Sequence, residues 1–273
     1  CKSTQPNLEN NLSYQTLLYE VNDGVATVTF NRPEAANAMS PLCAKELNAV
    51  SLKIEADASV RAVVLTGTGK MFCAGGDLAA FEAAGEGARS MILQMTGDLH
   101  LAISRLTRNA APVIGAINGT AAGAGFSMVM MCDLVISAES AVYTMAYTAA
   151  GLSPDGSSTY FMPRKIGDRR ARELMLTNRL LKSQEALDWG VVNQVVADEE
   201  LMSATSALAQ KIARGPTQAF GQVKALLNSS FDQSLETQME LEARAIAGLI
   251  GSADGQEGVN AFLNKRKPEF KGA

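Results

Sequence analysis

Two glycine-rich stretches and the acidic turn that follows them in the chain are the parts of this sequence best fitted to chemistry. Met71-Phe72-Cys73-Ala74-Gly75-Gly76-Asp77 comes after one apolar run, and Asn118-Gly119-Thr120-Ala121-Ala122-Gly123-Ala124-Gly125 comes after another. Small residues beyond a strand end let the backbone approach a ligand closely. If the N–H groups of Gly76 and Ala124 point at one oxygen, they form an oxyanion hole able to hold the charge of a thioester enolate. Taken singly, each stretch reads equally as a tight connection, and Asp155, in Ser153-Pro154-Asp155-Gly156, reads as a turn residue. Neither stretch is a dinucleotide fingerprint, and neither carries a phosphate-loop lysine.

The other chemistry-bearing residue types narrow the field. His100 is the single histidine, so His-rich metal centres and metalloprotease helices are excluded. Cys1, Cys43, Cys73 and Cys132 form no C-x-x-C pair, which argues against a zinc knuckle or a disulfide framework and suits a reducing, cytoplasmic setting. No metal is expected. A net charge of -4 and a pI near 5.2 speak against the basic surface that nucleic acid needs. The most apolar stretch, Phe126 to Ile136, is short and carries Asp133, so no membrane span is expected.

The elements that must position these residues follow from periodicity and turn chemistry. Residues 1–13 read as an unstructured lead-in. Leu17 to Val21 and Val25 to Phe30 alternate around Asn22-Asp23-Gly24, which predicts a hairpin. Ser40-Pro41 predicts the start of a helix. Ala62 to Leu65 and Pro112 to Ile117 read as buried strands leading into the two glycine stretches. A short buried helix over Phe126 to Met131 comes next, and strands over Leu134 to Ser137 and Ala141 to Met145 follow it. From Arg169 onward the pattern is helical, ending in a short amphipathic turn over Asn260 to Arg266. The alternation gives an α/β core over residues 14–200 and a helical region over 201–273.

In this order the motifs resemble the crotonase (enoyl-CoA hydratase/isomerase) superfamily. The matching residues are Asn31-Arg32-Pro33 with Asn37-Ala38, Phe72 to Leu78, Pro112 to Gly125, Cys132-Asp133-Leu134, Gly151 to Asp155, Pro163-Arg164, Ala186 to Val192 and Phe262 to Arg266. The resemblance implies a ClpP/crotonase-like fold, in which repeated ββα units form two nearly perpendicular sheets. It also implies a helical C-terminal region that makes trimers or dimers of trimers. Gly76 and Ala124 then fall on the hole donors. Arg32, Ala35, Ala36, Ala74 and Asp77 border the CoA of an acyl-CoA substrate, Tyr147 is a further substrate contact, and Lys265 or Arg266 of a neighbouring copy reaches its phosphates. No cofactor beyond that CoA is implied.

The same resemblance narrows the reaction. Hydratases of the superfamily use two glutamates, and the matching positions hold Ser127 and Tyr147. Asp155 falls where enoyl-CoA isomerases, those acting on epoxyphenylacetyl-CoA especially, carry a single acidic base. The implied activity is a 3-enoyl to 2-enoyl shift through an enolate, with Asp155 carrying the proton between apolar walls such as Phe126, Met145 and Phe161. The halobenzoyl-CoA dehalogenases are the alternative: there an aspartate attacks the ring, a histidine matches His100 as base, and a tryptophan matches Tyr147. Hydration, or a silent CoA-ester-binding scaffold, are further alternatives. The stretch from Leu78 to Leu99 should wall the acyl pocket, and its composition does not name the acyl group.

Overall fold

The computed structural model describes residues 14–273, so the lead-in expected over 1–13 lies outside the described residues. Asp23 and Gly24 take φ values of 49° and 78°. Two successive left-handed residues make a two-residue turn whose twist suits a hairpin. β1 (Leu17–Asn22) and β2 (Val25–Phe30) accordingly pair antiparallel with Asn22 opposite Val25. α1 (Pro41–Ala56) begins as its sequence predicts, with Ser40 Oγ accepting the Cys43 N–H at 3.2 Å and Pro41 in the first turn.

From there the chain repeats one unit. β3 (Ala62–Gly67) and β4 (Met71–Cys73) are followed by α2 (Leu78–Ala83) and α3 (Ala88–Arg108). β5 (Val113–Ile117) and β6 (Thr120–Ala122) are followed by α4 (Ala124–Met131). β7 (Leu134–Ala138) and β8 (Val142–Thr144) are followed by α5 (Ser158–Ile166) and α6 (Asp168–Thr177). The first strand of each unit joins a six-stranded sheet, β1-β2-β3-β5-β7-β10, and the second joins a four-stranded sheet, β4-β6-β8-β9. β9 (Leu181–Lys182), α7 (Ser183–Asp188) and β10 (Gln194–Val196) complete the two sheets. α8 (Leu201–Ala213) then lies across β3, β5 and β7, so β5 is buried at every residue rather than alternating. The helical C-terminal region continues as α9 (Thr217–Ser229), α10 (Leu235–Ile250) and α11 (Ala253–Leu263).

The second glycine stretch takes its position from α4. All eight residues of this helix are buried. Each of Phe126, Met128, Val129, Met130 and Met131 contributes about 1.5–3 kcal/mol by leaving water. That anchoring fixes the helix N-terminus, and hence Ala124, against the β4 end of the preceding unit.

Several elements depart from the sequence expectation, among them β9 and β10, which interrupt the stretch read as helical from Arg169 onward. α5 was not foreseen, because Pro163 sits inside it and Ser157, at φ 68°, gives it no side-chain cap. α11 begins at Ala253 rather than near Asn260; Ser252 caps it, accepting the Gly255 N–H at 3.0 Å. β4 and β6 lie within stretches read as loops, since three residues are too few to show a period of two.

Candidate active site

The two glycine stretches meet. Gly75, at φ 102°, lies so close to the second stretch that a Cβ there would stand 3.0 Å from Ala122 O and 3.4 Å from Gly123 Cα. Gly123, at φ 50° and ψ -120°, holds a backbone conformation that side chains disfavour, and it turns the chain from β6 into α4. Both residues are glycine for reasons of backbone, and the outcome is a junction with no side chain between the loops.

The junction leaves two N–H groups uncommitted. Met39 pairs with the strand around Gly76 through its N–H to Gly75 O at 2.7 Å and through the Asp77 N–H to Met39 O at 3.0 Å. In a parallel bridge of this kind the central residue turns its own N–H away from the partner. Ala124 occupies the first position of α4, where an N–H has no partner within the helix. Among the described residues neither N–H donates to another backbone group. The N-terminus of α4 adds roughly half a positive charge at the same place.

Gly76, Ala124 and Asp155 line one cavity of about 290 Å³, together with Ala74 and Tyr147. Leu78, Phe81, Ile92, Met95 and Leu99 supply its apolar wall, all from the stretch expected to do so. The wall of Asp155 itself differs from the expectation. Phe126 and Met145 are fully buried in the core and Phe161 borders other hollows. The Asp155 side chain is instead 34% exposed and hydrogen-bonded, its Oδ1 2.8 Å from His100 Nε2. His100, on α3, is thereby brought to the site.

The backbone of Asp155 is held as firmly as its side chain. Its carbonyl accepts from Ser127 Oγ at 2.7 Å, from Ser158 Oγ at 3.0 Å and from Tyr147 OH at 3.3 Å. Burial pushes the Tyr147 phenol up to about 12, so it is a donor at neutral pH. Ser127 and Tyr147 are thus committed to the carbonyl of the only carboxylate among the residues lining the cavity. Ser158 was not singled out from the sequence; a serine at the start of an unforeseen helix gave no signal.

Residues expected near CoA fall into two groups. Arg32 Nη1 lies 3.0 Å from Asp77 Oδ2 and donates to Ala38 O at 3.0 Å, while the Ala74 N–H donates to Ala36 O at 3.0 Å. Ala35 ends the 3-10 turn between them. Arg32, Ala35, Ala36, Ala74 and Asp77 therefore form one stitched rim beside the first loop. Lys265 and Arg266 stand apart at the C-terminus. Arg266 is occupied by Glu257, 2.7 Å away, and by Asn260, whereas Lys265 is exposed.

The three cysteines among the described residues are held as thiols. Burial pushes the thiol of Cys73 up to about 11 and those of Cys43 and Cys132 up to about 12.

A fold of ββα units with backbone donors and a carboxylate at one loop junction is the arrangement expected of acyl-CoA chemistry. Residues 20–273 match the enoyl-CoA hydratase/isomerase family model, and the chain belongs to that family, the crotonase superfamily of its motifs. It is 38% identical over 261 residues to a Rhodobacter capsulatus protein named a probable enoyl-CoA hydratase, covering 96% of this chain and 100% of that one. It is 39% identical to the 1,2-epoxyphenylacetyl-CoA isomerase of Escherichia coli, covering 94% and 98% of the two chains. A 4-chlorobenzoyl coenzyme A dehalogenase from Arthrobacter is 36% identical, with 90% of each chain covered. Among solved structures, an enoyl-CoA hydratase from Polaromonas superposes with a TM-score of 0.89 at 31% identity, covering 93% of this chain and 99% of that one.

Proposed function

We propose that the protein is an enoyl-CoA isomerase that moves a double bond from position 3 to position 2 of an acyl-CoA, with epoxyphenylacetyl-CoA-type substrates in its range. The carrying observation is that Asp155 is the only carboxylate among the residues lining the cavity that holds Gly76 and Ala124. Gly76 and Ala124 N–H groups bind the thioester oxygen and stabilise the enolate. Asp155 removes the proton beside the thioester and delivers a proton two carbons further along. Hydration would need a second acid where Ser127 and Tyr147 stand, and these hold the Asp155 carbonyl instead. The Arg32–Asp77 rim with Ala35, Ala36 and Ala74 borders the CoA, and Lys265 or Arg266 of a neighbouring copy meets its phosphates. The enzyme works as a trimer or a dimer of trimers in the cytoplasm, where three buried free thiols remain reduced.

The second reading, a halobenzoyl-CoA dehalogenase, is favoured by one contact: His100 touches Asp155, as a base activating water against an aryl-aspartate ester would. A panel of 3-enoyl-, epoxyphenylacetyl- and 4-chlorobenzoyl-CoA separates the two, through conjugated product on one side and chloride release on the other. In the isomerase reading, Asp155→Asn lowers turnover by roughly 10²–10⁴-fold, the contribution of a positioned general base. CoA-ester binding survives that change, because the hole and rim are backbone and distant side chains. Retained turnover in Asp155→Asn would refute the assignment, and binding without turnover in the wild type would leave a scaffold.

A further inference from the structure

Asp155 borders two hollows at once. It faces the cavity of Gly76 and Ala124, and with Pro154 it also walls a larger hollow of about 900 Å³ between α3, the start of α5 and the end of α9. His100 lines the larger hollow and is absent from the lining of the smaller. Its side chain is 52% exposed, against 34% for the carboxylate it touches. The imidazole thus joins the carboxylate to water on the side away from the substrate.

We propose that His100 is the proton outlet of Asp155, and that the protein therefore catalyses exchange between the hydrogens of its acyl group and those of water. This rests on Asp155 acting as the base proposed above. The carboxylate oxygen not facing His100 takes the proton from the carbon beside the thioester, and the C–H electron pair passes into the enolate held by the hole. A half-turn of the carboxyl group presents that O–H to the ring. Nε2 accepts the proton while the Nδ1 proton leaves to water, and the reverse sequence brings a solvent proton back to carbon. An imidazole in contact with water can exchange its ring protons with it, which frees the Nε2 lone pair for the carboxyl proton. Within the smaller cavity, Tyr147 offers no rival route, since its hydroxyl is engaged by Ser127 Oγ at 3.1 Å and by the Asp155 carbonyl.

The test is run in D2O on two thioesters: a 3-enoyl-CoA, and an arylacetyl-CoA whose hydrogens beside the thioester are acidic but which has no double bond to shift. Wild-type protein should give 2-enoyl product carrying deuterium at the carbon that receives the proton, and should label the arylacetyl group. His100→Gln keeps a hydrogen-bonding side chain that cannot pass a proton on, so deuterium per turnover should fall several-fold toward retention of the substrate's own hydrogen. Label per turnover reports the partition between exchange with water and return of the abstracted hydrogen, so a variant slowed only in substrate binding or product release leaves it unchanged. Wild-type product that keeps the original hydrogen, or equal labelling in both proteins, overturns the outlet. Failure of the isomerase reading looks different: the enoyl-CoA stays unshifted while the arylacetyl-CoA still exchanges. If neither thioester changes, both proposals fall.

Discussion

At the Asp155 carbonyl, one acceptor gathers the hydroxyls of Ser127, Tyr147 and Ser158, so the direction of the Asp155 side chain is set by a backbone atom. Ser127 is fully buried, and Gly156 follows Asp155 so closely that a Cβ there would lie 3.0 Å from Ser127 Cβ. The serine therefore acts through packing as well as through its hydrogen bond. Ser127→Ala removes a neutral hydrogen bond of net value about 1 kcal/mol, so kcat should fall about five- to tenfold while KM stays close to its wild-type value. Tyr147→Phe should act in the same direction, and the double variant should lose less than the product of the two, because both hydroxyls serve one carbonyl. Steady-state kinetics on the preferred 3-enoyl-CoA decides this; a rise in KM with unchanged kcat would make the pair a binding feature instead. The resemblance showed Ser127 as a missing glutamate, and Tyr147 as a second missing glutamate or a substrate contact. What replaced the acids could not be read from it, since a hydrogen bond to a carbonyl 28 residues on from Ser127 leaves no periodic trace.

The element that carries Ala124 of the proposed hole, α4, begins where two strands of the smaller sheet deliver their loops, and its packing tolerates almost nothing. A Cβ on Gly125 would stand 2.2 Å from Cys73 O and 2.8 Å from Cys73 Cβ, so helix and strand touch through a missing side chain. Gly125→Ala must push α4 away from β4, at a cost of about 1–3 kcal/mol for overpacking. Because Ala124 rides on α4 and Gly76 follows β4, the same displacement separates the two N–H donors. The variant should melt lower by calorimetry and should also lose transition-state-analogue affinity by more than its ground-state thioester affinity. Equal loss of both would mean that the hole does not depend on this contact. Five of the six strands of the larger sheet are legible because they are runs of five or six residues, such as Ala62–Gly67 and Val113–Ile117, whereas β10 has only three and lies in a stretch read as helical. Of the smaller sheet only β8 is legible, within the strand read over Ala141 to Met145; β4 and β6, with three residues each, and β9, with two, show no pattern. The glycine stretches were visible as composition, yet their meeting depends on parallel pairing of β4 with β6, a long-range contact that no local pattern encodes.

Across the whole molecule, the C-terminal helices divide at Lys224. This lysine, 6% exposed on α9, reaches Asp133 Oδ2 at 2.8 Å and donates to Leu106 O and Ala111 O at 3.1 Å each, fastening α9 to the core beside β5 and β7. Beyond it, α10 has no buried residue at all. Leu235, Met239, Ile246 and Ile250 follow one face of α10 and are 50–71% exposed, and Phe262 and Leu263 on α11 are 84% and 73% exposed. An amphipathic helix whose apolar stripe is left at least half exposed by the described residues is a face awaiting a partner. Covering each of these side chains is worth about 1.5–3 kcal/mol, enough in sum to outweigh the cost of association. Copies of the same chain are the proposed partner. Light scattering at micromolar concentration should then give the mass of three or six protomers. Ile246→Glu combined with Phe262→Glu should place charges in that covered face and shift the mass toward the protomer, while the Lys224–Asp133 fastening keeps the core melting near its original temperature. A wild-type protein that scatters as a single protomer would contradict the assembly, and would also leave Lys265 and Arg266 without a neighbouring site to serve.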